Sequence, residues 1–287
     1  MKRAVTLLGL FLAGVIVAPA QATPPADVKQ VGQSREEVLA YWTAERMRNA
    51  KPAPLARGGK AAKGSQYPFT RYEPASYNPA HGKVFFTDGG VNYVCSGTAL
   101  TSGNESVVWT AGHCVNEGPG PYFTNWAFVP AYKDGARPYG TWTARTLLTT
   151  SPWQKSGDFS YDEGAAVVST NGGATLTDTI GTPRGIGFDR PAQQHYLSHG
   201  YPAAGPFNGQ RLWICEADLA LRDTSAEPDT MGIGCDMTGG SSGGGWVVGN
   251  DVLSVNSYHY RTLSNVMFGP YQGDVARQLY NAASGTR

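Results

Sequence analysis

Beyond about residue 67 the chain is a succession of short apolar runs, each closed by Gly, Asn, Asp, Ser or Pro. Examples are Lys83–Thr87, Val91–Val94, Ser106–Thr110, Gly164–Ser169, Arg211–Ile214, Gly245–Val248 and Val252–Asn256. Short β-type runs at this spacing predict an all-β sandwich or barrel. The 37 glycines and the charged fraction of only 16% suit such a turn-rich protein and argue against a helical bundle or coiled coil. One helical pattern stands in this region, at its end, where Asp274 is placed to cap and Val275 and Leu279 fall four apart. No internal repeat is present. With 7 Trp, 15 Tyr and 10 Phe there is apolar surface for a sizeable core, which excludes disorder over the whole chain.

The N-terminus is organised differently. Met1-Lys2-Arg3 precedes an apolar run from Ala4 to Ala18, then Pro19 and the small-residue triplet Ala20-Gln21-Ala22. Residues 1–22 read as a secretory signal peptide cleaved after Ala22. The run of about 15 residues is short of the about 20 that span a bilayer, and no comparable run follows. A secreted protein with no membrane attachment after cleavage is therefore expected. The balance of 23 Lys+Arg against 22 Asp+Glu leaves no electrostatic footprint for nucleic acid.

Export changes the reading of Cys95, Cys114, Cys215 and Cys235, because thiols outside the cytosol tend to be oxidised in pairs. Three connectivities are open. The simplest joins near neighbours, Cys95 with Cys114 and Cys215 with Cys235, closing loops of about 20 residues worth about 3 kcal/mol each. No C-x-x-C spacing points to a metal.

Residues 23–66 carry Pro24, Pro25, Pro52 and Pro54 and a scatter of basic side chains around a single helical pattern. Ser34-Arg35-Glu36-Glu37 fits a capping box, and Val38, Tyr41 and Trp42 follow at i, i+3 and i+4. One short helix is marginal in water, so its apolar face is expected to dock on the domain downstream. The segment reads as a prosegment preceding a domain of residues 67–287. A permanent N-terminal arm is the other reading.

Two segments carry the chemistry. Thr110-Ala111-Gly112-His113-Cys114 follows one β run, and Gly240-Ser241-Ser242-Gly243-Gly244 lies between Cys235 and another. A serine hydroxyl is a weak nucleophile unless an imidazole takes its proton. Glycines around Ser242 let the backbone turn so that the N–H groups of Gly240 and Ser242 aim at one oxyanion. Taken singly, His113 is compatible with a bonded histidine beside a disulfide, and the glycine stretch with a plain loop.

Together the two segments resemble the histidine motif and the G-x-S-G-G serine motif of chymotrypsin-like serine peptidases, in the same His…Ser order. The likeness is to their secreted bacterial trypsin-like and glutamyl-endopeptidase-like branch and covers about residues 67–287, with Gly200-Tyr201-Pro202, Cys235-Asp236 and Phe268-Gly269-Pro270-Tyr271 as lesser pieces. It implies two antiparallel six-stranded β-barrels with a C-terminal helix, a Cys95–Cys114 bridge, no cofactor, and protein or peptide substrates. The carboxylate that orients the imidazole comes from Asp134, Asp158 or Asp162. Tyr161-Asp162-Glu163-Gly164-Ala165 resembles the family's aspartate segment and puts Asp162 first, with Asp158 next. A histidine acting as base predicts activity lost as pH falls through about 6–7.

Two positions depart from family patterns. Ser241 stands where many animal members carry the Asp that pairs with a newly cut N-terminus, so any latency is expected from the segment before residue 67. On the strand after the nucleophile, Asn256 occupies the place where glutamyl-specific members carry His, with Ser257 beside it. Asp236, six residues before Ser242, has the spacing of the carboxylate with which trypsin-like members bind Lys or Arg; a turn aspartate is the alternative. The resemblance thus marks Asp236, Asn256 and Ser257 as substrate-binding. An α/β-hydrolase esterase is disfavoured by chain order and the lack of alternating helices. A secreted binding protein on an inactive peptidase scaffold is the non-enzymatic alternative. His81, His195, His199 and His259 lack a motif and are expected on surfaces or loops.

Overall fold

The computed structural model describes residues 26–53, 56–57 and 67–287; the signal-peptide segment 1–22 and residues 58–66 lie outside the described residues. In chain order, the N-terminal region gives β1 (Ala26–Gln30), α1 (Arg35–Tyr41), α2 (Ala44–Asn49), β2 (Lys51–Pro52) and β3 (Ala56–Arg57). Then come β4 (Thr70–Tyr72), β5 (His81–Asp88), β6 (Val91–Leu100), β7 (Val107–Thr110), β8 (Thr124–Pro130), β9 (Trp142–Thr150), α3 (Ser151–Ser156), β10 (Gly164–Val168) and α4 (Leu176–Ile180). The remainder comprises β11 (Gly185–Ile186), β12 (His195–Gly200), β13 (Trp213–Asp223), β14 (Thr230–Gly234), β15 (Gly245–Val248), β16 (Asp251–Val255), β17 (His259–Tyr260), β18 (Val266–Gly269) and α5 (Asp274–Gly285).

Strands β5, β6, β7, β10, β9 and β8 pair antiparallel in that order, and β8 returns to β5, closing a six-stranded barrel. Because side chains alternate along a strand, Val84 and Phe86 of β5 point into this barrel, with Val108, Phe128 and Leu147, while Phe85 points out. The second sheet runs β16-β15-β12-β13-β14-β18, with β4 and β11 added at its sides. It curls back on itself where Ser257 N–H donates to Phe268 O at 2.9 Å and Phe268 N–H donates to Tyr258 O at 2.8 Å. The all-β, chymotrypsin-like architecture is therefore present. Both disulfides join near neighbours, Cys95 to Cys114 and Cys215 to Cys235.

The C-terminal helix α5 lies against the first barrel through Ala276, Leu279 and Ala283. Its details differ from expectation. Asp274 is the first helical residue rather than the cap, which is Gly273, and the buried stripe runs through Ala276 rather than the half-buried Val275. No described helix is long and apolar enough to cross a membrane.

Residues 26–53 pack closely on the first barrel. Strand β1 extends it by pairing antiparallel with β9, Val28 opposite Leu148. The capping box of α1 is formed: Ser34 Oγ accepts from Glu37 N–H at 3.2 Å and the Glu37 carboxylate accepts from Ser34 N–H at 2.7 Å. Thr43 breaks the helix with extended backbone and its side chain caps α2, so two short helices stand where the pattern indicated one. Val38, Trp42 and Met47 bury themselves against the outward Phe85, with Val94, Tyr132 and Tyr201. Trp42 Nε1–H donates to Asn125 O at 2.5 Å, satisfying the indole in the apolar contact.

Candidate active site

Strands β7 and β10 are antiparallel neighbours, with Thr110 opposite Gly164. The residues just past the end of one and just before the start of the other are thereby brought to the same rim of the barrel. His113 sits on the tight turn after β7, and Asp162 stands two residues before β10. His113 Nδ1–H donates to Asp162 Oδ2 at 2.7 Å and the His113 main-chain N–H donates to Oδ1 at 2.8 Å. Ser257 Oγ–H donates to the same Oδ2 at 2.5 Å. With its proton on Nδ1, the ring presents Nε2 as the acceptor. Gly112 is required on this turn: a Cβ there would lie 2.7 Å from the Trp153 ring.

The serine loop is pressed against this turn. A Cβ on Gly243, at φ +77°, would lie 2.0 Å from Thr110 Oγ1 and 2.7 Å from Ala111 N, a closeness only glycine allows. Ser96 N–H donates to Ser242 O at 2.7 Å, tying the nucleophile to the strand whose Cys95 is bridged to Cys114. Gly239 O accepts from Ala203 N–H at 2.7 Å, and Ser241 O accepts from Gly244 N–H at 3.0 Å. A trans peptide is planar with its C=O and N–H opposed, so these bonds turn the N–H groups of Gly240 and Ser242 the other way. Among the described residues neither donates to a backbone carbonyl.

His113 Nε2 and Ser242 Oγ are both shut off from solvent and make no hydrogen bond among the described residues. The cover over the cleft includes the N-terminal region. Ala53 lines a cavity of about 280 Å³ together with His113 and Ser257. Its N–H donates to Val94 O at 3.0 Å, and its carbonyl oxygen lies 2.7 Å from where a Gly239 Cβ would stand.

The remaining candidates fall elsewhere. Asp158 accepts from Ser160 N–H at 3.0 Å as a helical cap, and Asp134 pairs with Arg211 at 2.9 Å; neither is bonded to His113. Asn256 has no exposed surface and every polar atom of its side chain is bonded within the protein, so it has nothing to offer a substrate, contrary to expectation. Ser257 spends its hydroxyl proton on Asp162. Asp236 does line a cavity, of about 240 Å³, with Thr238, His259, Tyr260 and Arg261. One of its oxygens pairs with Arg71, whose guanidinium lies over the rings of Phe207 and Trp213 at 4.9 and 5.3 Å; the other is buried without a partner. His259 in this wall was not marked by the sequence. Burial and Arg261 push its pKa down. His81 and His199 are buried rather than at the surface, stacked face to face with centroids 3.7 Å apart, and burial pulls His199 down to about 4. Among the described residues, Cys95, His113 and Cys114 have metal-ligating proximity, but both sulfurs are spent in the disulfide.

No family model and no curated protein matches the sequence. Solved structures do. A thermostable serine protease AL20 from an extremophilic microorganism is 45% identical, covering 73% of this chain and 99% of its own, with TM-score 0.70. The protease Anisep from Arthrobacter nicotinovorans is 46% identical over 76% of this chain and all of its own, with TM-score 0.72. The chain belongs to the chymotrypsin-like serine proteases. A Glu endopeptidase shares the fold at 19% identity, with TM-score 0.61 over 79% of this chain. The His113 turn of the first barrel and the Ser242 loop of the second sheet are packed together where the two sheets meet.

Proposed function

We propose that the protein is a secreted serine endopeptidase working through His113, Asp162 and Ser242, and made as a latent form by residues 23–66. The observation that carries this reading is Asp162 bonded to both the ring and the main chain of His113, on a turn against which the Ser242 loop is packed. Ser242 Oγ attacks the peptide carbonyl carbon while its proton passes to His113 Nε2. The resulting oxyanion is held by the N–H groups of Gly240 and Ser242. As the C–N bond breaks, the proton moves from Nε2 to the leaving amine, giving an acyl-enzyme. Water then attacks with its proton taken by Nε2, and collapse of the second oxyanion returns that proton to Ser242. The two disulfides suit an oxidising compartment.

Latency is supported by the placement of residues 51–53 and 56–57. Lys51–Pro52 runs parallel to Tyr93–Val94, and Ala56–Arg57 runs parallel to His259–Tyr260, so the segment bridges the cleft. The leaving amine of a substrate must face His113 and the first barrel, while its acyl half lies along Ser257–Tyr260. A productive peptide therefore runs from β17 toward β6, and this segment runs the opposite way. It covers the site without offering a bond in the reactive direction. The two solved proteases leave about a quarter of this chain unmatched, the size of residues 1–66.

Labelling with a serine-directed fluorophosphonate, alongside hydrolysis of a peptide library, tests the reading. Label and hydrolysis are expected from the wild-type chain after release of its N-terminal region and from no Ser242→Ala chain; equal behaviour of the two removes it.

A further inference from the structure

The loop that carries the nucleophile, Gly239-Gly240-Ser241-Ser242-Gly243-Gly244, has no charged residue and four glycines, so nothing in its own sequence makes it rigid. Two of its peptide units must nonetheless hold a fixed direction for two N–H groups to converge. Ala203 N–H, on Gly239 O, holds one. The other, between Ser241 and Ser242, is reached by the Asn256 side chain.

Asn256 follows β16 and has no solvent-exposed surface. Its Nδ2 donates to Ser241 O at 3.0 Å and to His199 O at 2.9 Å. Its Oδ1 accepts from Ser198 Oγ–H and from Trp246 Nε1–H, both at 2.7 Å. Two carbonyls on one side and two donors on the other leave a single orientation of the amide, and all four of its bonding positions are filled. Its main chain joins the same loop, the N–H donating to Gly244 O at 2.9 Å and the C=O accepting from Gly243 N–H at 2.7 Å. Drawing Ser241 O toward Asn256 points the N–H of Ser242 the opposite way, because the two are fixed to one planar unit.

We infer that Asn256 is a positioning residue for the oxyanion hole: its carboxamide holds the Ser241–Ser242 peptide so that the Ser242 N–H is aimed before substrate arrives. It touches no substrate and acts through that amide, and the inference rests on the peptidase reading above. Losing an oxyanion donor outright costs about 100- to 1,000-fold in rate, so a donor left in place but unaimed is expected to cost about 10- to 100-fold.

The test uses the chain expressed in full and then released from its N-terminal region, with active sites titrated. Asn256→Asp keeps the shape and sets an oxygen against two carbonyls, pushing Ser241 O away and leaving Gly244 N–H, at 3.0 Å, to hold that peptide alone. Expected is a kcat lower by about 10- to 100-fold at constant KM. Affinity for a peptidyl aldehyde, whose hemiacetal oxygen enters the hole, falls by the same factor, while affinity for a cleaved peptide product is unchanged. A residue needed only for folding would lower yield and melting temperature and leave kcat per titrated site alone. If Asn256→Asp does not fold, Ser198→Ala and Trp246→Phe each remove one donor to Oδ1 and are expected to show the same split at about 3- to 10-fold. Folded variants with wild-type kcat and aldehyde affinity overturn this inference alone. A wild-type chain without Ser242-dependent hydrolysis after that release overturns it together with the peptidase reading.

Discussion

Asp162 receives both the ring Nδ1–H and the main-chain N–H of His113, one on each carboxylate oxygen, at 2.7 and 2.8 Å. The doubled contact fixes the tautomer and the tilt of the imidazole together, and Ser257 Oγ–H adds a third bond that favours the ionised carboxylate. Asp162→Asn is expected to lower kcat by about 10⁴-fold with little change in fold, because an amide turned to donate toward Nδ1 selects the wrong tautomer. The check is kcat together with near-ultraviolet circular dichroism. A loss under tenfold would show that the ring is oriented by something else.

Comparison of chains with and without residues 23–66 tests the strap. The shorter chain is expected to be active and to refold in lower yield, because it leaves Phe85, Tyr132 and Tyr201 without the cover of Val38, Trp42 and Met47. Trp42→Ala in the longer chain removes a side chain only 2% exposed, a change that costs about 3–5 kcal/mol of packing, and should release latency in part. Equal activity and equal refolding yield of the two chains would leave the segment a permanent arm.

Arg71 sets the charge of the Asp236 cavity. While the two are paired, a substrate Lys or Arg must compete with a guanidinium already held over two aromatic rings. Arg71→Leu is expected to raise the rate of cleavage after Lys and Arg at least tenfold relative to cleavage after Ala or Leu, since a freed, partly buried carboxylate favours a cation. A peptide panel varied at the residue before the cut reads this out, and an unchanged ranking counts against the cavity as the specificity pocket.

Stability should rise with pH on the alkaline side of neutrality. His199 titrates at about 4 when folded against an ordinary 6.5, so its contribution is whole above 6.5 and is lost as pH falls from there to 4. Buried Lys83, held by Gly209 O at 2.7 Å, is pulled down to about 7 from 10.5. Between those values the unfolded chain binds the proton and the folded one does not, so stability rises with pH across that window. Tyr196 is pushed up to about 12 from 10.0, which reverses the trend above about pH 10. Urea unfolding at a series of pH values should show stability rising between pH 7 and about 10, and Lys83→Met should abolish that rise. A wild-type profile flat between pH 7 and 9.5 would contradict the burial of a titrating Lys83.

The local patterns carried much of this. Turn residues at short intervals announced the strands, the Ser34 to Glu37 box announced its helix, and four cysteines at near spacings paired as neighbours. Short motifs around His113 and Ser242 were legible because their glycines answer to local demands, a positive φ or a contact too close for a Cβ, that any single sequence must meet. Asn256 was misread as facing substrate because strand position alone does not say which way a side chain is buried. The same limit hid the His81–His199 stack and the His259 wall.

By itself, then, the sequence determined an all-β chain with a histidine turn, a serine loop and four cysteines suited to two bridges, since strand alternation, turn geometry and capping are short-range properties. Only the tertiary structure decided that the antiparallel β7–β10 pair sets Asp162 on His113, that Arg71 meets Asp236, that the Asn256 side chain bonds to the serine loop, and that Lys51–Pro52 pairs with β6 while Ala56–Arg57 pairs with β17. Each of these joins residues far apart in the chain, and which of them meet is settled by how the barrels close and pack, a free energy shared across the whole core that no local stretch contains.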